Sequence, residues 1–297
     1  MKAMKRLFTS MIVANIAFSS FGVHTTFAEE IRTQTKSVAL MDVVIDEEEL
    51  EAMLKAIDVE NEGVLQEALA LVEQRENPLL KGSFDTSSFV TRDEVRRLTE
   101  DDFIYLYDFI ITDNPGEYEL VQEMKKIANE RGSSNNLHRS FLTLNWQETA
   151  LTALYPAHGI AYAAQSIKAR DAALKIYTDN STWFDGNGDA YRHVIWNVYL
   201  YNAFNSALAV VNGLSGTREA RVKLFTDAHE AGGSSIESDM DLRNNILGLS
   251  AAPTWLNSTQ AVEVSTERFI DMGAAWRIQD WGRGKTLVAT DNSEKRR

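Results

Sequence analysis

Three polar clusters between Gly188 and Gly248 carry the side chains that could do chemistry. They are Asp189-Ala190-Tyr191-Arg192-His193-Val194-Ile195-Trp196-Asn197, then Asp227-Ala228-His229-Glu230, then Asp239-Met240-Asp241-Leu242-Arg243-Asn244-Asn245. Two of the chain's five histidines fall here, each within helical reach of carboxylates or carboxamides. On a helix, residues four apart share a face, so Asp189, His193 and Asn197 form one polar stripe. In the second cluster Asp227 and Glu230 share a face, while His229 lies about 100° from Glu230. His229 with one carboxylate is therefore the economical pair. Asp241, Asn244 and Asn245 lie on one side of a third helix. Two successive asparagines run against helix propensity, and hydrogen bonds to neighbouring helices or the orienting of a ligand histidine would account for them.

Mixed imidazole and carboxylate ligands suit zinc, manganese or iron, whereas all-oxygen sites suit magnesium or calcium. The expected metal ligands are His193, Asp227, His229 and Asp241. His193, His229, Glu230 and Asn197 are the candidates for catalysis, with Asp189, Arg192, Asn244 and Asn245 in support. A divalent ion that acidifies a water, with Glu230 or Asp227 as base, would hydrolyse an ester or phosphodiester. No His-Glu-x-x-His is present. The competing reading is a buried hydrogen-bond network joining three helices, in which Arg192, Arg243, Asp189 and Asp241 pair among themselves. The run Asp185-Gly186-Asn187-Gly188-Asp189 opens like a calcium loop. It departs at the sixth position, Ala190, and the twelfth, Trp196, so an EF-hand is ruled out and only a looser oxygen-ligand role for Asp185 or Asp189 is left.

The elements that must position these residues read as helices. Asp189 to Val211 is apolar around its polar stripe, the pattern of a helix buried on most sides. Thr217 is a candidate cap for the second helix, which stops near Gly232-Gly233. Ser238 or Asp239 is a candidate cap for the third, which runs towards Leu249. Upstream, Asn145 to Asp179 is rich in Ala and Leu, with a break or kink expected where Pro156 and Gly159 flank His158. His158 itself reads as a structural histidine. Thr259 to Asp271 is a short helix, and Gly273 to Thr290 a small hairpin with Gly282 and Gly284 in its turn. Trp255, Trp276 and Trp281 read as packing residues.

Nearer the start, Asp46 to Arg75 forms acidic helices broken at Gly63, with apolar residues three and four apart at Leu50, Met53, Leu54 and Ile57. Thr91 or Asp93 starts the next helix, and Glu100 to Thr112 and Gly116 to Arg131 follow, joined by a turn at Asn114-Pro115-Gly116. Met1 to Ala28 has the marks of a signal peptide: Lys2, Lys5 and Arg6, then the mainly apolar run Leu7 to Val23, then Thr26-Phe27-Ala28 as a cleavage site. The expected organisation is residues 1–28 as signal, 29–135 as an acidic helical preface and 136–297 as the helical domain with the motifs. No later stretch suits a membrane span, so the expected location is outside the cell.

The net charge is −13, or about −16 once the three leader cations are removed. Such a balance repels phosphates and argues against non-specific binding of nucleic acid or anionic membranes. There is no cysteine, which excludes a disulfide scaffold, a thiolate zinc site, a cysteine nucleophile and a lipoprotein anchor. For an exported protein this is compatible with a bacterial source.

The three clusters resemble those of an uncharacterised helical domain family found in bacterial secreted proteins, phage proteins and toxin C-termini. The shared pattern is Asp-Ala-aromatic-Arg-His-x-x-Trp-Asn at Asp189 to Asn197, Asp-x-His-Glu at Asp227 to Glu230, and Met-Asp-x-x-Asn-Asn-x-x-Gly at Met240 to Gly248. The resemblance extends to the helices from Leu144 and the tail from Gly273 to Thr290, roughly half the chain, and leaves the acidic preface outside. It implies a mostly α, orthogonal multi-helix domain without a settled activity. Occurrence at toxin C-termini favours an enzyme, and the chain is similar, more loosely, to helical zinc phospholipases and nucleases. The resulting expectation is an exported metal-dependent hydrolase of phosphodiester or ester bonds. The alternatives are a non-catalytic binding or structural module, in which the acidic preface meets a protein partner, and a secreted antibacterial toxin.

Overall fold

The computed structural model describes residues 47–77, 85, 87–132, 144–177, 184–204, 214, 216–231, 235–255, 258–280, 282 and 284–295. The signal and leader segments, Gly232-Gly233, Trp281 and the expected boundary at 135/136 lie outside these residues. The described chain is mostly helical, with one small two-stranded antiparallel sheet near its C-terminal end. Helix α1 is Glu47–Glu76, α2 Arg92–Arg97, α3 Glu100–Asp113 and α4 Glu117–Gly132. They are followed by α5 Trp146–Leu154, α6 Pro156–Ile176, α7 Asn187–Ala203, α8 Arg218–Glu230, α9 Ile236–Ala251 and α10 Thr259–Asp271. A 3-10 turn at Ala252–Thr254 extends α9, and strands β1 Trp276–Asp280 and β2 Lys285–Ala289 close the fold.

Side-chain caps set most helix starts. Thr91, Thr99 and Asn145 each build a capping box with the acidic residue three positions on, Glu94, Asp102 and Glu148. Thr217 caps α8 as expected. The cap of α9 is Ser235, three residues before the expected Ser238, because the Ser235 hydroxyl takes the Ser238 amide. Asn114 ends α3 in the left-handed region at φ 46°, a conformation asparagine tolerates. The expected break at Gly63 is absent: α1 runs through it. One helical glycine costs only about 1 kcal/mol, and the buried Ala68 and Val72 anchor the helix beyond it. The break around His158 falls at Tyr155, so Pro156 opens α6, where its missing N–H costs nothing.

Residues 54–297 form one compact unit; of residues 1–53 only 47–53 are described, as the first part of α1. Within the larger unit Ala68, Leu106 and Leu120 from the acidic helices share a single core with Tyr162, Val194 and Phe225. The helices up to Gly132 are thus built into the same core as the motif-bearing helices.

Helix α7 lies at the centre of that core. Tyr191, Val194, Ile195, Trp196, Val198 and Leu200 are all buried, and the helix packs most extensively on α9 and α6. It is described to Ala203, short of the expected Val211, and Phe204 has already left the helical conformation. The α7–α9 approach is close enough to require Gly248, where a Cβ would overlap the Val194 carbonyl oxygen and come within 2.9 Å of Asn197 Cβ. The expected hairpin forms, with Trp276 opposite Ala289 and Asp280 opposite Lys285. Gly282 and Gly284 take the positive φ values of its connection.

Candidate metal centre

Helix α7 opens at Asn187 and presents Asp189 and His193 one turn apart, as the four-residue spacing predicts. Asp241 on α9 meets them across the α7–α9 crossing. His193 Nε2 lies 3.1 Å from Asp241 Oδ1 and 3.7 Å from Asp189 Oδ1. One ligand atom from each of the three residues lies within 4.8 Å of the other two, so this buried Asp-His-Asp group could hold a metal ion.

The supporting residues fix the histidine's chemistry. His193 is fully buried, and its Nδ1 lies 2.9 Å from Asn245 Oδ1. Asn197 Nδ2 donates to that same oxygen at 2.8 Å and to the His193 carbonyl at 3.0 Å. With the carboxamide oxygen as acceptor, His193 Nδ1 carries the proton and Nε2 presents its lone pair to the carboxylates. Burial, with the nearby Arg192 charge, drives the His193 pKa down to about 3, so the ring is neutral. Asp241 Oδ1 is buried without an aligned hydrogen bond among the described residues. Burial and the charges of Asp189 and Glu230 push its pKa up to about 9.

Arg192 supplies the local positive charge. Its Nε and Nη2 donate to Asp189 Oδ1 at 3.0 and 2.6 Å, and Nη2 also donates to His193 Nε2. Burial works against ionisation of Asp189, but the Arg192 charge, with the hydrogen bonds from the Asp185 amide and from Arg192, outweighs it and lowers its pKa.

His229, at the end of α8, faces the same region, its ring 6.3 Å from that of His193 and edge-on to Trp196. Its partner is Glu148, not Asp227 or Glu230: Nδ1 donates to Glu148 Oε1 at 2.8 Å. Glu148 is almost wholly buried, accepts the Tyr162 hydroxyl on the same oxygen, and takes the Asn145 amide on the other. Burial opposes a charge on His229, but the bond to Glu148 and its negative charge prevail and raise the pKa. Glu230 keeps one buried carboxylate oxygen without a hydrogen-bond partner among the described residues, and burial raises its pKa.

Two expected members stand elsewhere. Asp227 binds Lys223 at 2.5 Å, and Lys223 also reaches Asp58 on α1 at 2.5 Å. Asp227 points to that side because residues two apart on α8 diverge by about 200°; the group able to hold an ion lacks both expected ligands Asp227 and His229 and contains Asp189, expected only in support, with His193 and Asp241. Asn244 serves the hairpin, donating to the Trp276 carbonyl at 2.8 Å and accepting the Trp276 amide at 2.9 Å. Arg243 pairs with Asp239, and Asp185 Oδ2 takes Lys285 at 3.3 Å. His158 is a core histidine, edge-on to Phe204. Glu148 and Tyr162 were missed; the only signal was Asn145-x-x-Glu148, which announces a cap and nothing more. A groove of about 640 Å³ between α3, α6, α7 and α10 contains none of the cluster residues.

Fold and site together define a mostly helical protein with a buried Asp-His-Asp group beside a Glu–His pair. Residues 149–272 match the family model described as a domain of unknown function, DUF6973. The matched stretch includes Asp189, His193, His229, Glu230 and Asp241, and begins one residue after Glu148. No curated protein and no solved structure matches the chain.

Proposed function

We propose that this chain is an exported, metal-dependent hydrolase of phosphodiester or ester bonds. Asp189, His193 and Asp241 would hold a zinc, manganese or magnesium ion, and His229 and Glu230 would transfer protons. One observation carries the reading. His193 Nε2 presents its lone pair 3.1 Å from a buried Asp241 oxygen, a contact that a proton on Asp241 satisfies in the ion-free protein and that a divalent ion would satisfy in its place. A divalent ion there would supply charge to polarise a phosphoryl or carbonyl oxygen. Glu148 holds the proton on His229 Nδ1, which leaves Nε2 as the nitrogen able to take a proton from an attacking water and return it to the leaving oxygen. Export rests on the leader-like Met1 to Ala28.

Metal analysis of the purified protein, with melting curves in added zinc or manganese, tests the reading. The expected result is close to one ion per chain and a raised melting temperature, with both lost in His193→Ala. Clean protein that carries no metal and does not respond to divalent ions sinks the proposal. A second reading, a non-catalytic helical module, is favoured by the Arg192–Asp189 pair and the Asn197–Asn245–His193 chain. Under it, His193→Ala and Asp241→Asn lower stability without changing metal content.

A further inference from the structure

We infer that Arg192 occupies the cation's place in the ion-free protein, and that metal binding frees its guanidinium to bind a phosphate-type oxyanion of the substrate. The inference rests on the metal reading above and extends it to substrate class and control of access. Three contacts support it. Arg192 places two donors on Asp189 Oδ1 and one on His193 Nε2. Asp189 and His193 are two of the three residues able to enclose an ion, so guanidinium and metal compete for them. The His193 tautomer fixed by Asn245 leaves Nε2 one lone pair, which serves either Arg192 or a metal, never both.

Charge decides what the freed side chain would do. Asp189 and Asp241 each bring a carboxyl oxygen to within 3.7 Å of His193 Nε2, and an anionic substrate entering beside these two groups when ionised is repelled. A divalent ion offsets two of those charges and releases a planar fork of N–H donors, which matches the oxygens of a phosphate group. Arg192 keeps 22% of its side-chain surface exposed, against none for His193, so its side chain lies between the buried cluster and the surface. The metal thus gates anion binding through one residue.

Calorimetry with manganese alone, then with inorganic phosphate added to the manganese-loaded protein, tests this in the wild type and in Arg192→Gln. Loss of the competing cation should tighten manganese binding at least tenfold, while loss of the fork should weaken phosphate binding at least tenfold. A purely structural arginine would give a different pattern, since destabilising the site weakens both. Arg192→Lys, which keeps the charge but not the planar fork, should bind manganese more nearly like the wild type and phosphate more weakly. It also serves as the readout if Arg192→Gln does not fold. Equal or weaker manganese binding in Arg192→Gln overturns the inference and leaves the metal reading standing, as does unchanged phosphate binding. If manganese binds neither wild type nor variant, the metal reading itself fails and the inference goes with it.

Discussion

Glu148 shows how much one buried carboxylate can be asked to hold. It caps α5 through the Asn145 amide, accepts the Tyr162 hydroxyl and orients His229. Glu148→Ala should therefore cost more than a lost cap, because it also strands a buried hydroxyl and an imidazole donor. The expected loss is about 1–3 kcal/mol in chemical denaturation, and the His229 ring should lose its fixed tautomer in nitrogen NMR spectra. A loss below about 0.5 kcal/mol would mean that water replaces the carboxylate without penalty. Sequence spacing reached Asp189, His193 and Asn197 because local helix geometry joins them. It could not reach Glu148, which lies 81 residues from its histidine. Asp227 misled because a motif read as a unit need not point one way on a helix, and Lys223, four residues back, claims it.

At the scale of elements, the site depends on how closely α7 and α9 approach. Asp189 and His193 come from one helix and Asp241 and Asn245 from the other, so their spacing is the spacing of the two axes. Gly248 permits it. Gly248→Ala should push the helices apart, at a cost of about 1–3 kcal/mol in stability, and should reduce manganese affinity although residue 248 touches no ligand. Unchanged affinity in a folded variant would show that the crossing does not set the site. Most element boundaries were legible because caps, prolines and glycines act locally: Thr91, Thr217, the α10 span and the hairpin all stand where the sequence put them. The errors came from signals that packing overrides. Gly63 is carried through a long helix, and Ser235 outcompetes Ser238 for the cap.

Across the whole molecule, acid should act on the core as well as on the site. His158, in the first turn of α6, is buried against Phe204 and Phe225, and burial drives its pKa down to about 3. In the unfolded chain its pKa is about 6.5. Between these values the unfolded state binds a proton that the folded state refuses, so stability is full above about pH 6.5 and falls as the pH is lowered towards 3. The slope is about 1.4 kcal/mol per pH unit for one such group. Denaturation of the wild type and of His158→Leu across that range should show the variant losing less stability in acid; parallel curves would contradict the assignment. Sequence reading assigned His158 a structural role but could not foresee that the acidic helices join the same core, since hydrophobic spacing reports which face is buried and not what covers it.

The capping box at Asn145 also bears on how this protein can change over time. A substitution at Glu148 is judged twice, once by the helix it begins and once by the imidazole it aims. Asn145 is likewise doubly engaged, since its amide nitrogen donates to the Ala228 and His229 carbonyls. Glu148 thus couples its neighbours: Asn145 and Glu148 hold each other at the start of α5, and the same carboxylate aims the His229 ring.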